Sequence, residues 1–515
     1  MTISPQDISV GLFESDPAAV DFLTVTGVAS CVQLQAAIDR HAIDAALDNT
    51  RDHVVFDNEV DAIRRTWRSA SGRLVDVIVV FGLVAPRALR PAVPTGRAFT
   101  AIIRSDDHQA ATGVAATLER LDACFAAEEQ QQVLQAMPVL GWAAASFPLR
   151  SDRLRVVFRD HLVENSLGFI SALLDAGVSP SDVIVLDKGD ATLNRDRVAA
   201  TLGSLGVEVR RLDNAAVGPT DDAAEKARAE ETARYVDRFI AGGHARRQRV
   251  ILIDDGGLLA LTDLEGRPVL RERPDAAIEL TVSGLKRLAK SPLTEGLPIA
   301  NMARSDVKQR IGYNEIADSC MRRLREALRG EKLIGMRVIS VGYGSLGARL
   351  ARSLRSLGCR VIVVDTDHLQ LIAAAEEGFE TTPDLETAIE TRPKLLVSST
   401  GERIAERATL ERLPADCYLT AFATADLSAV TGVEGFGPST LLGDGRSFNL
   451  YRFEGIPNGG YDLYRAATYI VLRQITELLE NAHGEASVDL QTVNDWIRDS
   501  GVYTRYYDLY FSAAR

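Results

Sequence analysis

The sequence predicts an α/β protein of several domains built on parallel sheets, and three observations carry that prediction. At 515 residues the chain exceeds what one hydrophobic core supports, so roughly two to four domains are expected. From Arg153 onward, apolar strand-like runs alternate with helical patterns, as βαβ units do. Within that part, Met336–Asp367 (MRVISVGYGSLGARLARSLRSLGCRVIVVDTD) reads strand, glycine turn, helix, strand.

The third observation also predicts chemistry. Met336–Val341 is a short β-branched run, and Gly342, Gly344 and Gly347 follow as G-x-G-x-x-G, with Ser345 and Leu346 between the last two. Gly342 allows the tight turn, Gly344 lets a pyrophosphate approach the backbone, and Gly347 lets helix pack on strand. The helix N-terminus offers free N–H groups and a positive dipole end to phosphates. The helix Ala348–Leu357 puts Arg349, Arg352 and Arg355 on its wet side; Gly358 closes it, and Arg360–Val364 is the second strand. That strand ends at Asp365, 23 residues after Gly342, where a carboxylate accepts from ribose hydroxyls and repels a 2′-phosphate. The stretch is read as a Rossmann-type unit for NAD; the plain alternative is a glycine turn in an α/β domain without a ligand.

Composition narrows the class. A hydrophobic content of 46% with 25% charged residues describes a soluble globular protein. A net charge of −13 argues against nucleic acid or an anionic membrane as partner. No apolar run reaches the roughly 18 residues of a spanning helix. The N-terminal MTISPQDISVGLFESD has no basic region or apolar core, so no signal peptide is expected. Five cysteines without a C-x-x-C pair suit the cytoplasm and offer no metal site.

In chain order, residues 1–150 read as a separate N-terminal α/β domain of unknown role. It has a strand at Val75–Val84, a loop punctuated by Pro86, Pro91 and Pro94, and helices at Ala110–Ala127 and Glu128–Ala136. His53 and Asp106-Asp107-His108 are taken as solvated loop residues. Residues 151–305 form a second α/β domain. Its strands are Leu154–Asp160, Asp182–Asp187, Val207–Asp213 and Arg249–Ile253, and its helices are Glu164–Leu174, Arg195–Leu205 and Thr220–Ile240. Ligands bind at the carboxyl ends of such strands, so Asp254-Asp255-Gly256-Gly257 is either a site or a turn using Asp and Gly for backbone reasons. Ala277–Lys290 reads as a helix opening near Thr281 and Ser283; Leu297–Met302 is a strand, and Ser305–Arg329 a long helix with Lys308 near its start. Residues 306–455 hold the Rossmann-type domain, with later strands at Leu395–Ser399, Tyr418–Thr420 and Phe448–Phe453. Ser398, Ser399, Thr400 and Thr424 are small hydroxyl residues at strand ends. Residues 456–515 are helical, with Tyr503, Tyr506, Tyr507 and Tyr510 in the tail.

Six segments taken in order resemble the S-adenosylhomocysteine hydrolase family: ILIDDGG (251–257), TVSGLKRLAK (281–290), LPIANMARSDVKQ (297–309), the glycine stretch with AAAEEGFETTPDLETAI, VSSTG (397–401), and FNLYRFEGIPNGG (448–460). The resemblance covers residues 153–480 and leaves the first 150 outside it. It implies a Rossmann-type NAD domain inserted in the other parallel α/β domain, to which the C-terminal helices return. It implies that Asp255 is the base for a ribose 4′ hydrogen, that Lys308 sits at the 3′ oxygen, and that Thr281, Ser283, Asp365, Thr400 and Asn458 hold NAD. It also implies a homodimer or homotetramer through Tyr464–Asn481.

The departures fall on substrate positions. Leu280 stands where the family has an acid, with Glu279 one place earlier. Gly312 replaces an aspartate, Thr424 a histidine, and Asp160 another histidine, with His161 adjacent. The family's histidine loop does not follow Asn458, and its Lys- and Tyr-bearing tail is not recognisable in residues 456–515. The expectation is an enzyme that uses bound NAD to oxidise, transiently or fully, a hydroxyl on a nucleoside-like or other small polar substrate, not the standard hydrolase. The alternatives are a non-catalytic NAD-binding relative and an ordinary dehydrogenase of amino or hydroxy acids.

Overall fold

The computed structural model describes residues 21–512 apart from 30–33, 35–36, 39–40, 43–47, 57–60, 69–71, 82–96, 106, 121–123, 218–222, 432–435, 437–440 and 482–486. Expectations for residues 1–16, Cys31, Asp106 and the Pro86–Pro94 loop lie outside the described residues. The chain forms two compact units, Met1–Gln132 and Val133–Arg515.

The first unit is a five-stranded antiparallel sheet of β1 (Asp21–Ala29), β2 (Asp48–Phe56), β3 (Asp61–Arg68), β4 (Leu74–Phe81) and β5 (Arg97–Ser105), in the order β1-β5-β4-β3-β2. Period-two alternation buries Val75, Val77 and Val79 with Ala111, Val114 and Leu118 of the helix His108–Arg120. Asp76, between two of those valines, pairs with Arg64 at 2.7 Å. His53, read as a loop residue, lies in β2 opposite Arg64; the Val54-Val55-Phe56 run beside it favours a strand. Asp107 accepts from the Ala110 N–H at 3.1 Å and so serves the start of that helix.

The second unit holds two parallel sheets. One contains β6 (Leu154–Asp160), β7 (Val183–Asp187), β8 (Glu208–Arg211), β9 (Arg249–Asp254), β10 (Ala276–Glu279) and β11 (Ile299–Asn301), in the order β11-β10-β9-β6-β7-β8. The other contains β12 (Arg337–Val341), β13 (Arg360–Val364), β14 (Glu380–Thr382), β15 (Leu395–Ser398) and β16 (Tyr418–Ala421), in the order β14-β13-β12-β15-β16. Helices cover both faces, which is why every residue of β6 and β7 is buried. Each sheet has one place where strand order reverses, β6 beside β9 and β12 beside β15. A crevice opens beyond the carboxyl ends of the strands at such a point.

Two elements differ from the sequence reading. Ala276–Glu279 is a buried strand between β9 and β11, and the helix starts only at Val282. The Thr281 hydroxyl accepts from the Gly284 N–H at 3.0 Å and caps that helix. Phe448–Phe453 is not a strand. Its amides turn back on Ser447 and Leu450, and Arg452 takes φ 49°. Its alternating aromatic pattern imitates a strand, but Phe448 is used to pack beside Phe422, with centroids 6.4 Å apart.

The chain then returns to the first of these sheets. The helix Asn458–Asn481 is buried from Tyr461 through Leu472. Its Arg465 pairs with Asp160 at the end of β6 at 2.7 Å. Its Asp462 accepts from the Val139 and Leu140 amides at 2.9 and 2.8 Å, capping the helix Pro138–Ser146, whose own preceding residue offers no side-chain cap. The Rossmann-type domain is therefore an insertion in the other α/β domain.

Candidate functional site

The glycine loop lies at the β12/β15 reversal. Gly342 has φ 90°, in the left-handed region open to glycine. A Cβ on Gly347 would fall 1.9 Å from the Gly342 carbonyl oxygen and 2.8 Å from Ser399 Oγ, so helix, loop and β15 meet at a distance only glycine permits. A Cβ on Gly344 would meet nothing within 4 Å, leaving open space over its backbone. Leu346 turns into the hydrophobic core. Asp365 follows β13 and accepts from the Tyr343 amide of the loop at 2.7 Å, which fixes the acid beside the glycines. Across the crevice, Asp426 accepts from Thr400 N, Thr400 Oγ and Gly401 N at 3.2, 2.9 and 2.7 Å. Burial pushes the Asp426 carboxyl up to about 6, against those donors. An open backbone at Gly344, a helix start at Ser345 and an acid at the next strand end fit a dinucleotide.

The β6/β9 reversal gathers a second set. Asp160, His161 and Asp255 bring their polar atoms within 4.8 Å of one another. Lys188, just after β7, donates to Asp255 and lies 3.2 Å from His161 Nε2. His161 Nδ1 lies 2.5 Å from Asp190 Oδ2. Protein cations thus neutralise the acids, Lys188 on Asp255 and Arg465 on Asp160. Burial opposes ionisation of Asp255, but Lys188 and His161 outweigh it and hold the carboxyl far below its ordinary range. Glu279 is engaged elsewhere: it accepts from Gly256 N, Gly257 N, Thr281 N and Thr281 Oγ, anchoring the turn after β9.

Lys308 joins the two sets. It opens a π-helical turn, Lys308–Gly312, ahead of the helix Tyr313–Ala327. Its ammonium donates to Tyr461 OH at 2.6 Å. It lies 4.3, 5.2 and 5.8 Å from the ring centres of Tyr464, Tyr461 and Tyr313. Lys308 is 5% exposed and forms no ion pair with a carboxylate among the described residues. Burial lowers its pKa, against the pull of Tyr313 and Asp255. Gly312 leaves room for its stem, since a Cβ there would lie 3.1 Å from Lys308 Cδ. The next residue, Gln309, accepts from Ser345 Oγ at 2.7 Å at the start of the glycine-loop helix.

The residues expected to act together thus fall into several groups. Gly342, Gly344, Ser345, Gly347, Asp365 and Thr400 converge on one crevice, and Asp255 and Lys308 on its neighbour. Thr281 and Ser283 lie at the start of the helix after β10 and touch each other at 3.5 Å. Lys286 of that helix meets Glu402, beside Thr400, at 2.6 Å. Asn458 donates to Glu164 at 2.9 Å. Lys188, Asp190, Tyr461 and Tyr464 were not singled out from sequence. A lysine after a strand has no spacing signature, and the tyrosines come from a distant helix.

Residues 314–429 match the S-adenosyl-L-homocysteine hydrolase, NAD binding domain. This stretch of the chain is similar to that family's NAD-binding domain. NAD is the cofactor of the matched domain. The S-inosyl-L-homocysteine hydrolase of Methanopyrus kandleri is 28% identical over 277 residues, 52% of this chain and 58% of that protein. The adenosylhomocysteinase of Gloeobacter violaceus is 26% identical over 274 residues, 51% and 59% of the two chains. The chain thus spans less than two thirds of the length of either relative. Among solved structures, the dipicolinate synthase A chain from Bacillus subtilis aligns with a TM-score of 0.34 and 13% identity, over 65% of this chain and 98% of that one. No described helix is long and apolar enough to cross a membrane.

Proposed function

We propose that the protein is an enzyme that uses bound NAD to oxidise, transiently or fully, a hydroxyl on a nucleoside-like or other small polar substrate. The observation that carries this is Lys308. A buried ammonium without a carboxylate partner is costly unless a ligand oxygen completes its shell, and its neighbour Gln309 is bonded to the glycine-loop helix.

NAD, when bound, supplies a hydride acceptor. Lys308 donates an N–H to the substrate oxygen and favours its ionised form, in a site where surrounding tyrosines exclude water. Tyr461 OH accepts from Lys308 and orients it. Asp255, held ionised by Lys188, is the acceptor for a proton on the carbon next to the new carbonyl. Thr281, Ser283 and Asn458 would complete the cofactor's surroundings, with Asn458 exchanging its bond to Glu164 for one to the ligand. A homodimer or homotetramer fits the family, and sedimentation of the purified chain tests it.

The functional test is absorbance. Full-length protein loaded with NAD is mixed with S-adenosyl-L-homocysteine and, separately, with S-inosyl-L-homocysteine. Appearance of the NADH band with either probe supports the reading. A band that never appears with these or with free nucleosides, in protein proven to contain NAD, leaves the non-catalytic role instead.

A further inference from the structure

We propose that Lys188 is a positioning residue for proton transfer: it links Asp255 to His161 and carries the substrate's proton from one to the other. The proposal rests on the oxidation reading above and deepens it.

The geometry leaves one route. Asp255 Oδ1 and His161 Nε2 are 3.9 Å apart, too far for a direct hydrogen bond. The Lys188 ammonium bonds Asp255 and lies 3.2 Å from His161 Nε2. On the far side of the ring, His161 Nδ1 meets Asp190 at 2.5 Å. Burial opposes ionisation of Asp190, but the carboxyl stays below its ordinary range, with its hydrogen bond to His161 and the nearby Lys188 ammonium favouring the ionised form. An ionised Asp190 can only accept, so the proton is assigned to Nδ1 and Nε2 accepts from Lys188. The four groups form a chain: Asp255, Lys188, His161, Asp190. Their side chains come from three neighbouring strand ends at the sheet reversal, those of β6, β7 and β9. The side chain of Lys188 is 3% exposed, so water does not replace it as the link.

A lysine there also resolves a difficulty. A carboxylate locked to an ammonium is a weak base, because the proton it accepts must displace a strong ion pair. The chain removes that obstacle. When Asp255 takes the proton from carbon, the electron pair stays on the substrate as an enolate. The Lys188 ammonium gives one of its protons to His161 Nε2 and receives the proton from Asp255. Asp255 ends ionised and Lys188 ends charged, while His161 becomes an imidazolium facing Asp190. One proton has moved from carbon to His161 with no net change at Lys188, and no electron has left the substrate–NAD pair. The reverse sequence returns a proton to the carbon.

The test uses full-length, NAD-loaded protein in D2O with S-adenosyl-L-homocysteine and S-inosyl-L-homocysteine as probes. Wild-type protein forms NADH, and recovered probe carries deuterium on carbon. Lys188→Arg keeps the positive charge on Asp255, but a guanidinium does not give up its proton in a protein. It is expected to form NADH still while deuterium incorporation falls at least about a hundred-fold. His161→Asn gives the same loss, and the double variant loses no more than either single one. Wild-type exchange in Lys188→Arg, or a double variant whose losses multiply, overturns the relay. A second readout does not depend on turnover. Nitrogen NMR of the labelled ring shows Nε2 as an acceptor in the wild type, and its signal moves toward a free acceptor in Lys188→Met. A proton found on Nε2 in the wild type overturns the relay. Absence of NADH with both probes overturns the oxidation reading, and the nitrogen signal then decides the Lys188–His161 link alone.

Discussion

Replacing Lys308 with Met removes the ammonium among the tyrosine rings while keeping a chain of similar length. The variant is expected to retain NAD, because the glycine loop is untouched, and to lose about 10²- to 10⁴-fold in the rate of NADH formation. Stopped-flow absorbance with S-adenosyl-L-homocysteine measures it, and an unchanged rate would remove Lys308 from the site. Gly347→Ala acts on the other half. Its methyl would overlap the Gly342 carbonyl oxygen, so loop and helix must separate, at a cost of about 1–3 kcal/mol. Calorimetric titration should show NAD affinity weakened by about ten- to a hundred-fold. Asp426 gives a pH signature. Its folded value, about 6, lies above that of an unfolded carboxyl, near 3.9. Folding therefore takes up a proton between these two values. The stabilisation is full below about pH 4 and is lost as pH rises through about 6. Asp426→Asn, which mimics the protonated form, should lack that decline in urea midpoints between pH 4 and 7. Asp255, Lys308 and the glycines were legible because each sits in a segment with its own order and spacing. Lys188, Asp190 and Tyr461 were not, because only the sheet order and a returning helix bring them together.

At the scale of elements, the helix Asn458–Asn481 does the most to complete the site. It supplies Tyr461 and Tyr464 to Lys308 and Arg465 to Asp160. Arg465→Met keeps the helix but leaves Asp160 buried and unpaired, which costs about 3–5 kcal/mol. The urea midpoint should fall accordingly. A shift under about 1 kcal/mol, the range of an exposed pair, would mean that solvent reaches Asp160. The sequence pattern shows this helix from Tyr464 to Asn481, and the structure starts it at Asn458. The strands β6, β12 and β13 were legible for the same kind of reason, as buried β-branched runs closed by polar residues. Ala276–Glu279 was not. Four residues are too few for a period to show, and the helical pattern after Thr281 ran back over them. The Phe448–Phe453 error has the opposite cause. Its alternation is genuine, but the aromatic side chains serve packing in a turn.

At the scale of the whole chain, the insertion explains why two crevices meet. Each parallel sheet reverses its strand order once, and the segment joining the sheets, from β11 through Lys308 and Gln309 to the helix Tyr313–Ala327, runs from one crevice to the other. The alternation of strands and helices made this architecture readable, and the glycine stretch made the cofactor readable. Chemistry at the second crevice was less readable, because its positions differ from the family pattern and their replacements act through non-local contacts. In the proposed reaction, hydride passes between a substrate carbon and NAD beside Lys308. The most direct measurement loads the full-length protein with NAD, adds adenosine deuterated at the ribose 3′ carbon, and weighs the extracted cofactor by mass spectrometry. Reduced cofactor carrying the deuterium is expected. Cofactor that gains no deuterium, while the labelled probe binds in the site, would contradict that reaction.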